Sequence, residues 1–275
     1  MADVSKTIVV MGNYRCGTTW LAEMLAGGLP GYAMVFEPIR AYFPTMRDAG
    51  ITQWRPHLRS DSVTPAQVQA MESALSGRIC KTEKLMRTDR NAVLAASGVV
   101  VKFVRGLLSL RWVVEHFGPR HAFVIRRHPC AAVASQFRVK AVRGTPKTMS
   151  ELDMFFEQHP EIARFEPQSP AQWLAAWWAV SYYAALSTPQ PHPWSVVKYE
   201  DLCGSPENVL RDVFGPLGVT PSNTEALVSR LSLTAKTWST GAPTPWMRYL
   251  GPSNAKQIWD VVQRFPLITE GYDGP

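Results

Sequence analysis

The chain has 275 residues, 46% of them hydrophobic and 19% charged, with 29 Lys and Arg against 22 Asp and Glu for a formal net charge of +7. That length suffices for one α/β domain with a sizeable core, and the composition argues against disorder. A basic balance suits an anionic ligand, but without a Lys/Arg block, zinc-finger spacing or an RNA-recognition aromatic signature, nucleic acid is not the expected partner.

Residues 1–6 carry no basic-apolar-small leader pattern and run into TIVVM at residues 7–11, a β-branched run expected as a buried strand. The loop Gly12-Asn13-Tyr14-Arg15-Cys16-Gly17 follows. Residues 18–26 set Trp20, Leu21, Met24 and Leu25 at helical spacing, and Gly27-Gly28 ends that helix. Residues 32–36 read as a second strand closed by Glu37-Pro38, and residues 44–66 as irregular and polar. A third strand is expected at residues 99–104, then a helix at 107–117 stopped by Gly118-Pro119, and a fourth strand at 122–125. Pro129 suits the first turn of a helix running to about Phe137. Residues 138–170, charged and with scattered prolines, read as a mobile insertion or lid. Residues 171–186 form an apolar stretch short for a membrane span and interrupted by Gln172 and Ser181, so a buried helix is expected and no membrane association.

A fifth strand is expected at residues 194–198. Ser205-Pro206 then opens a helix carrying Val209, Leu210, Val213 and Phe214 and ending near Gly218. Residues 234–252 read as a long loop, and residues 234–275 are expected to complete the site, with Trp238 and Trp246 shaping a nucleotide or acceptor pocket. Most of the ten tryptophans, Trp173 and Trp177 among them, read as core. The four cysteines, Cys16, Cys80, Cys130 and Cys203, lack the spacing of a metal site or a disulfide framework, which suits a cytoplasmic chain with reduced thiols. Strands alternating with helices predict a single α/β domain. Its expected form is a three-layer fold, a parallel sheet of about five strands flanked by helices, like P-loop-containing nucleotide hydrolases.

A glycine-containing loop between strand and helix presents backbone N–H groups and the positive end of a helix dipole, which together bind anions. Gly12 and Gly17 have the spacing of a Walker A loop, but Thr18 and Thr19 follow Gly17 and the lysine is missing; Arg15 lies inside the loop instead. A phosphate-like anion fits better than a magnesium-bound triphosphate. The alternative is a turn that needs glycine for geometry alone. Cys16, at a helix start beside Arg15, either has a lowered thiol pKa or replaces a small residue. Arg127 at a strand end, followed by His128-Pro129 and then Ser135, offers a guanidinium fork and a hydroxyl near another helix start, suited to a phosphate dianion. Read alone, an arginine at a strand end is more often a salt-bridge residue.

Tyr14-Arg15-Cys16-Gly17-Thr18-Thr19-Trp20-Leu21 resembles the 5′-phosphosulfate loop of sulfotransferases that use 3′-phosphoadenosine-5′-phosphosulfate (PAPS), with arginine first as in carbohydrate-type members and Cys16 in place of the usual serine. Arg127 and Ser135 keep the spacing of that family's 3′-phosphate motif, with His128 replacing an aspartate. Tyr199-Glu200-Asp201-Leu202 resembles a later family motif whose tyrosine lies near the adenine; Glu200 and Asp201 read as capping and fold residues. The resemblance spans roughly residues 7–218.

It implies transfer of a sulfuryl group from PAPS to a hydroxyl or amine of a small-molecule or carbohydrate acceptor, without a metal and with adenosine 3′,5′-bisphosphate as the second product. Cofactor-binding residues would be Arg15, Cys16, Gly17, Thr18, Thr19, Trp20, Arg127, Ser135 and Tyr199, with Arg15 also steadying the leaving phosphate. Cytosolic members place a histidine base two residues after a lysine on a central strand. Here that stretch is Lys102-Phe103-Val104, so the base is expected elsewhere. Val35-Phe36-Glu37-Pro38 resembles the Phe-Glu-Pro stretch of carbohydrate sulfotransferases and nominates Glu37, the alternative being an ion pair with Arg40 or a basic loop residue. Glu83 in Lys81-Thr82-Glu83 ranks second. Lys102 either touches the sulfuryl oxygens or caps its strand. Two rival readings are a P-loop kinase of a small molecule and a non-catalytic nucleotide-binding module.

Overall fold

The computed structural model of the chain describes residues 3–139, 149–187, 191–221, 226–227 and 246–274. Five strands, β1 (Thr7–Met11), β2 (Tyr32–Phe36), β3 (Gly98–Phe103), β4 (His121–Arg126) and β5 (Ser195–Lys198), form one sheet. All pair in parallel, in the order β2-β3-β1-β4-β5. Every residue of β1 and β3 is buried, which is why both read as continuous apolar runs: a parallel sheet covered on both faces has no solvent side to alternate with.

The two faces divide the core by strand periodicity. Ile8, Val10, Val100, Phe123 and Ile125 point to one side, against α1 (Thr18–Gly28). Val9, Met11, Val101, Phe103 and Val124 point to the other. Helices in chain order are α2 (Pro44–Asp48), α3 (Pro65–Leu75), α4 (Arg90–Ala95), α5 (Leu110–Phe117), α6 (Pro129–Arg138), α7 (Met149–Gln158), α8 (Pro170–Leu186), α9 (Tyr199–Gly204), α10 (Pro206–Phe214) and α11 (Met247–Val262). The helix α8 lies under the second face, with Trp177, Trp178 and Tyr182 fully enclosed. No helix among the described residues is long and apolar enough to cross a membrane.

Three expectations change. The stretch 44–66 is not all irregular: it holds α2 and the start of α3, where Thr64 and Gln67 form a reciprocal capping box with Pro65 in the first turn. The segment 138–170 contains α7, whose Leu152, Phe155 and Phe156 are buried at helical spacing, with Phe155 lying 6.1 Å from the Phe265 ring. That burial packs residues 149–158 into the core; residues 140–148 lie outside the described residues. The expected loop to residue 252 is helical from Met247, bending at Gly251 (φ +68°) and Pro252, because glycine supplies the left-handed turn there. Trp238 lies outside the described residues.

Candidate active site

The carboxyl ends of β1, β2, β3 and β4 lie along one edge of the sheet, the usual ligand edge of an open α/β fold. After β1 the chain turns tightly. Cys16 N–H donates to the Asn13 carbonyl at 3.2 Å, and the Asn13 side-chain oxygen accepts from Tyr14 N–H at 2.6 Å. Arg15 (φ +69°) and Gly17 (φ +95°) both take the left-handed region, which an arginine enters only at a cost. A Cβ at Gly12 would stand 2.5 Å from the Ile125 carbonyl oxygen, and one at Gly17 would run into the Tyr199 ring. Gly17 caps α1 without any side-chain hydrogen bond, so the first-turn N–H groups of Thr18 and Thr19 are left to an outside partner.

Residues distant in sequence meet at this loop. Arg15 Nε donates to Ser135 Oγ at 3.0 Å, and Arg127 Nη1 donates to the Arg15 carbonyl at 3.2 Å. The Arg127 guanidinium lies 4.4 Å over the Tyr199 ring, and Tyr199 meets Trp20 edge-on at 6.1 Å. Trp20 Nε1 is buried with no hydrogen-bond partner among the described residues. Burial lowers the Arg15 guanidinium below its ordinary range, and the nearby Arg127 charge adds to that. Burial pushes the Tyr199 phenol up to about 12.

Sequence reasoning missed what holds the two loops in place. Tyr182 on α8 donates its hydroxyl to the Ile125 carbonyl at 2.7 Å and accepts from Asn13 N–H at 3.0 Å. Trp178 Nε1 donates to the Arg127 carbonyl at 3.1 Å. Both polar tips are invisible in a helix that is apolar all round. His128 takes the position where the family pattern has an aspartate. Its backbone N–H donates to Glu200 Oε1 at 2.9 Å, so a carboxylate from α9 serves the start of α6. The His128 ring stacks on Trp246 at 5.3 Å and Trp259 at 6.2 Å, and burial lowers its pKa.

The Cys16 thiol faces the interior, not the cleft. It is fully buried, 3.9 Å from the Tyr14 carbonyl, and burial pushes its pKa up to about 11. The lowered-pKa reading therefore gives way to space filling, and neither the thiol nor the Cys16 N–H is directed at a ligand.

Glu37 follows β2 with φ +50°, again left-handed. Its N–H continues the ladder to the Lys102 carbonyl at 2.9 Å. The buried carboxylate pairs through Oε1 with Lys102 Nζ and accepts at Oε2 from Val104 N–H at 3.3 Å. Arg40, the partner named in the ion-pair alternative, instead donates to the Tyr42 hydroxyl at 2.7 Å. The pairing with Lys102 follows from register, since Phe36 stands opposite Lys102. Burial pulls the Lys102 ammonium below its usual range against the opposing pull of Glu37. Glu83 accepts from Thr45 N–H at 2.9 Å and Thr45 Oγ1 at 2.8 Å, which commits it to the start of α2. Glu23, one turn beyond Thr19, was not singled out by the sequence; burial raises its carboxyl, with Arg87 and Lys102 acting the other way.

The fold is P-loop-like: a five-stranded parallel sheet between helices, with its glycine loop after β1. Residues 7–223 match the sulfotransferase family, and the chain belongs to that family. Its fold is similar to that of the sulfotransferase domain from the Synechococcus PCC 7002 olefin synthase, at 15% identity and a TM-score of 0.54 over 100% of this chain and 98% of that one. A sulfotransferase domain from the curacin biosynthetic pathway aligns at 16% identity and a TM-score of 0.49, covering 100% of this chain and 99% of that one. Mouse sulfotransferase SULT7A1 complexed with PAP aligns at 11% identity and a TM-score of 0.49, covering 99% and 87%. No curated protein matches the sequence. Family membership sets the kinase alternative aside.

Proposed function

We propose that this sulfotransferase takes its sulfuryl group from PAPS and passes it to a hydroxyl or amine of a small-molecule or sugar acceptor. The observation that carries this reading is the meeting of Arg15 with Ser135 and Arg127, 120 and 112 residues away in sequence. Two guanidinium groups, a hydroxyl and an uncapped helix start around one place suit a donor with phosphates on both sides of a ribose. The aromatic wall of Trp20 and Tyr199, with a buried indole N–H lacking a partner among the described residues, suits a flat heterocycle with acceptor nitrogens.

When bound, PAPS supplies a sulfuryl group already activated by its phosphate leaving group. Arg15 and the first-turn amides of α1 hold that phosphate and offset the charge that grows on it. Glu37 takes the acceptor's proton at Oε2, the oxygen with the longer 3.3 Å contact, while Lys102 fixes the carboxylate through Oε1. The left-handed backbone at Glu37 turns the chain so that the carboxylate sits at the strand ends. Lys102, spent on Glu37, acts as a positioning residue.

Calorimetric titration with adenosine 3′,5′-bisphosphate, with adenosine 5′-monophosphate as control, tests the reading. The bisphosphate is expected to bind about 10-fold tighter or better, the worth of one charge-assisted phosphate contact. Binding of neither, or no preference for the 3′-phosphate, overturns the use of PAPS. Binding without turnover of any acceptor in a panel of phenols, sugars, alcohols and amines identifies a non-catalytic module instead.

A further inference from the structure

Beside Glu37 lies a group of cations that the Arg15–Arg127 cradle does not use. Arg105 follows Val104, whose N–H holds the Glu37 carboxylate. Its guanidinium lies 3.6 Å from the Trp54 ring centre, and it is half-buried. It forms no ion pair among the described residues. Glu37, Arg40, Tyr42 and Tyr14 are all within its electrostatic reach.

Arg55 lies within electrostatic reach of Arg105. This side chain is 6% exposed, lies 4.7 Å over the Trp177 ring and donates from Nη2 to Asn13 Oδ1 at 3.2 Å. Its Nε and Nη1 are buried and have no hydrogen-bond partner among the described residues. Burial, with the Arg105 charge adding to it, lowers its pKa to about 9. The segment carrying both aromatic and arginine is pinned. Trp54 N–H donates to Glu151 Oε1 at 3.1 Å, Leu58 N–H to Ser109 Oγ at 2.9 Å, and Ser109 Oγ to the Pro56 carbonyl at 2.7 Å.

Two acids are near: Glu37 offsets part of the Arg105 charge and Glu151 part of the Arg55 charge, but neither forms an ion pair with these arginines among the described residues. Glu37 is engaged by Lys102. Glu151 faces Trp54 N–H and makes no ion pair with Arg55 among the described residues. Neighbouring guanidinium groups that form no ion pair repel one another and are costly to bury. An anion in their midst removes that cost and meets donors already in place. Tyr14 and Tyr42, both within electrostatic reach of Arg105, are 39% and 61% exposed.

We propose, resting on the sulfotransfer reading above, that this is the acceptor subsite and that the acceptor carries an anionic group, a carboxylate or a phosphate or sulfate ester. Arg105 seats that group, Arg40 flanks it, and Arg55 contributes charge while holding Asn13 in the phosphate loop. The anion then fixes where the acceptor's nucleophile stands relative to Glu37.

The test titrates inorganic sulfate, inorganic phosphate and acetate, each at low ionic strength, into protein saturated with adenosine 3′,5′-bisphosphate. At least one anion is expected to fill a further site, and Arg105→Met to weaken it about 10-fold or more, while the nucleotide's affinity stays unchanged and Arg105→Lys restores part of the loss. Preference for acetate points to a carboxylate, preference for the oxyanions to an ester. No further anion site, or one indifferent to Arg105→Met, overturns the proposal. A chain that binds no nucleotide fails the PAPS reading in the first titration; the Arg105-dependent anion site is then measured in the unloaded protein, with the same two outcomes.

Discussion

Arg127 serves two partners at once, donating to the Arg15 carbonyl and lying over the Tyr199 ring. Arg127→Ala should therefore weaken adenosine 3′,5′-bisphosphate binding by about 1.5–3 kcal/mol, the range for a hydrogen bond to a charged group. Calorimetry reads this directly, and unchanged affinity would remove Arg127 from the site. Glu37 is a different kind of residue, buried and held by Lys102 and the Val104 N–H. Glu37→Gln keeps the shape and can still accept from Val104, so nucleotide binding should persist. Turnover should fall by about 10²–10⁴-fold, as for a lost general base. Full activity in this variant would show that no proton passes through Glu37. Both side chains were nameable from the sequence because each sits just past a strand end in a recognisable neighbourhood. The Lys102 partner was not, because an ion pair across adjacent strands is set by register and leaves no local pattern.

At the scale of elements, α8 matters most. Its run of Trp, Ala, Tyr and Leu carries no face that marks it as anything but filling. Yet Tyr182 links the backbone of Asn13 to that of Ile125, and Trp178 holds the Arg127 carbonyl. Tyr182→Phe leaves a buried N–H and a buried carbonyl without this partner, a loss of about 1–3 kcal/mol of stability. Because those two groups position β1's loop and β4's end, nucleotide affinity should drop in the same variant. Urea unfolding and calorimetry together check this; a stability loss with full affinity would make α8 a scaffold only. Helix α7 shows the opposite error of reading. Prolines and charges around it suggested a mobile insertion, while its own i, i+3, i+4 pattern buries Leu152, Phe155 and Phe156, with Phe155 against Phe265.

At the scale of the whole molecule, buried histidines couple stability to pH. His57 has its pKa lowered from the ordinary 6.5 to about 4, chiefly by burial, with Arg59 and His159 adding to it. Below pH 6.5 the unfolded chain binds a proton there that the native protein does not take until about pH 4, so stability falls as pH falls through that window. At about pH 5 this single group removes about 2 kcal/mol. His121 and His128, also lowered by burial, act in the same direction. Urea midpoints at about pH 7.5 and about pH 5 should show the loss, and His57→Gln should show less of it. An equal drop in the variant would assign the acid sensitivity to other groups.

What the sequence determined by itself was local in origin. The β-branched run at Thr7–Met11 and the apolar run at Tyr32–Phe36 became strands with those bounds, the Gly12–Gly17 loop became the entry to α1, and Pro129 and Pro206 opened helices. Strand periodicity, glycine turns and helix starts act over a few residues, so a single chain displays them. Only the tertiary structure decided the order β2-β3-β1-β4-β5, the contact of Arg15 with Ser135, the pairing of Lys102 with Glu37, and the approach of Arg40 and Arg105 to that pair with Arg55 in reach of Arg105. Each joins residues whose separation along the chain is bridged by sheet register and helix packing, and charge accumulates at such a place without any motif to announce it.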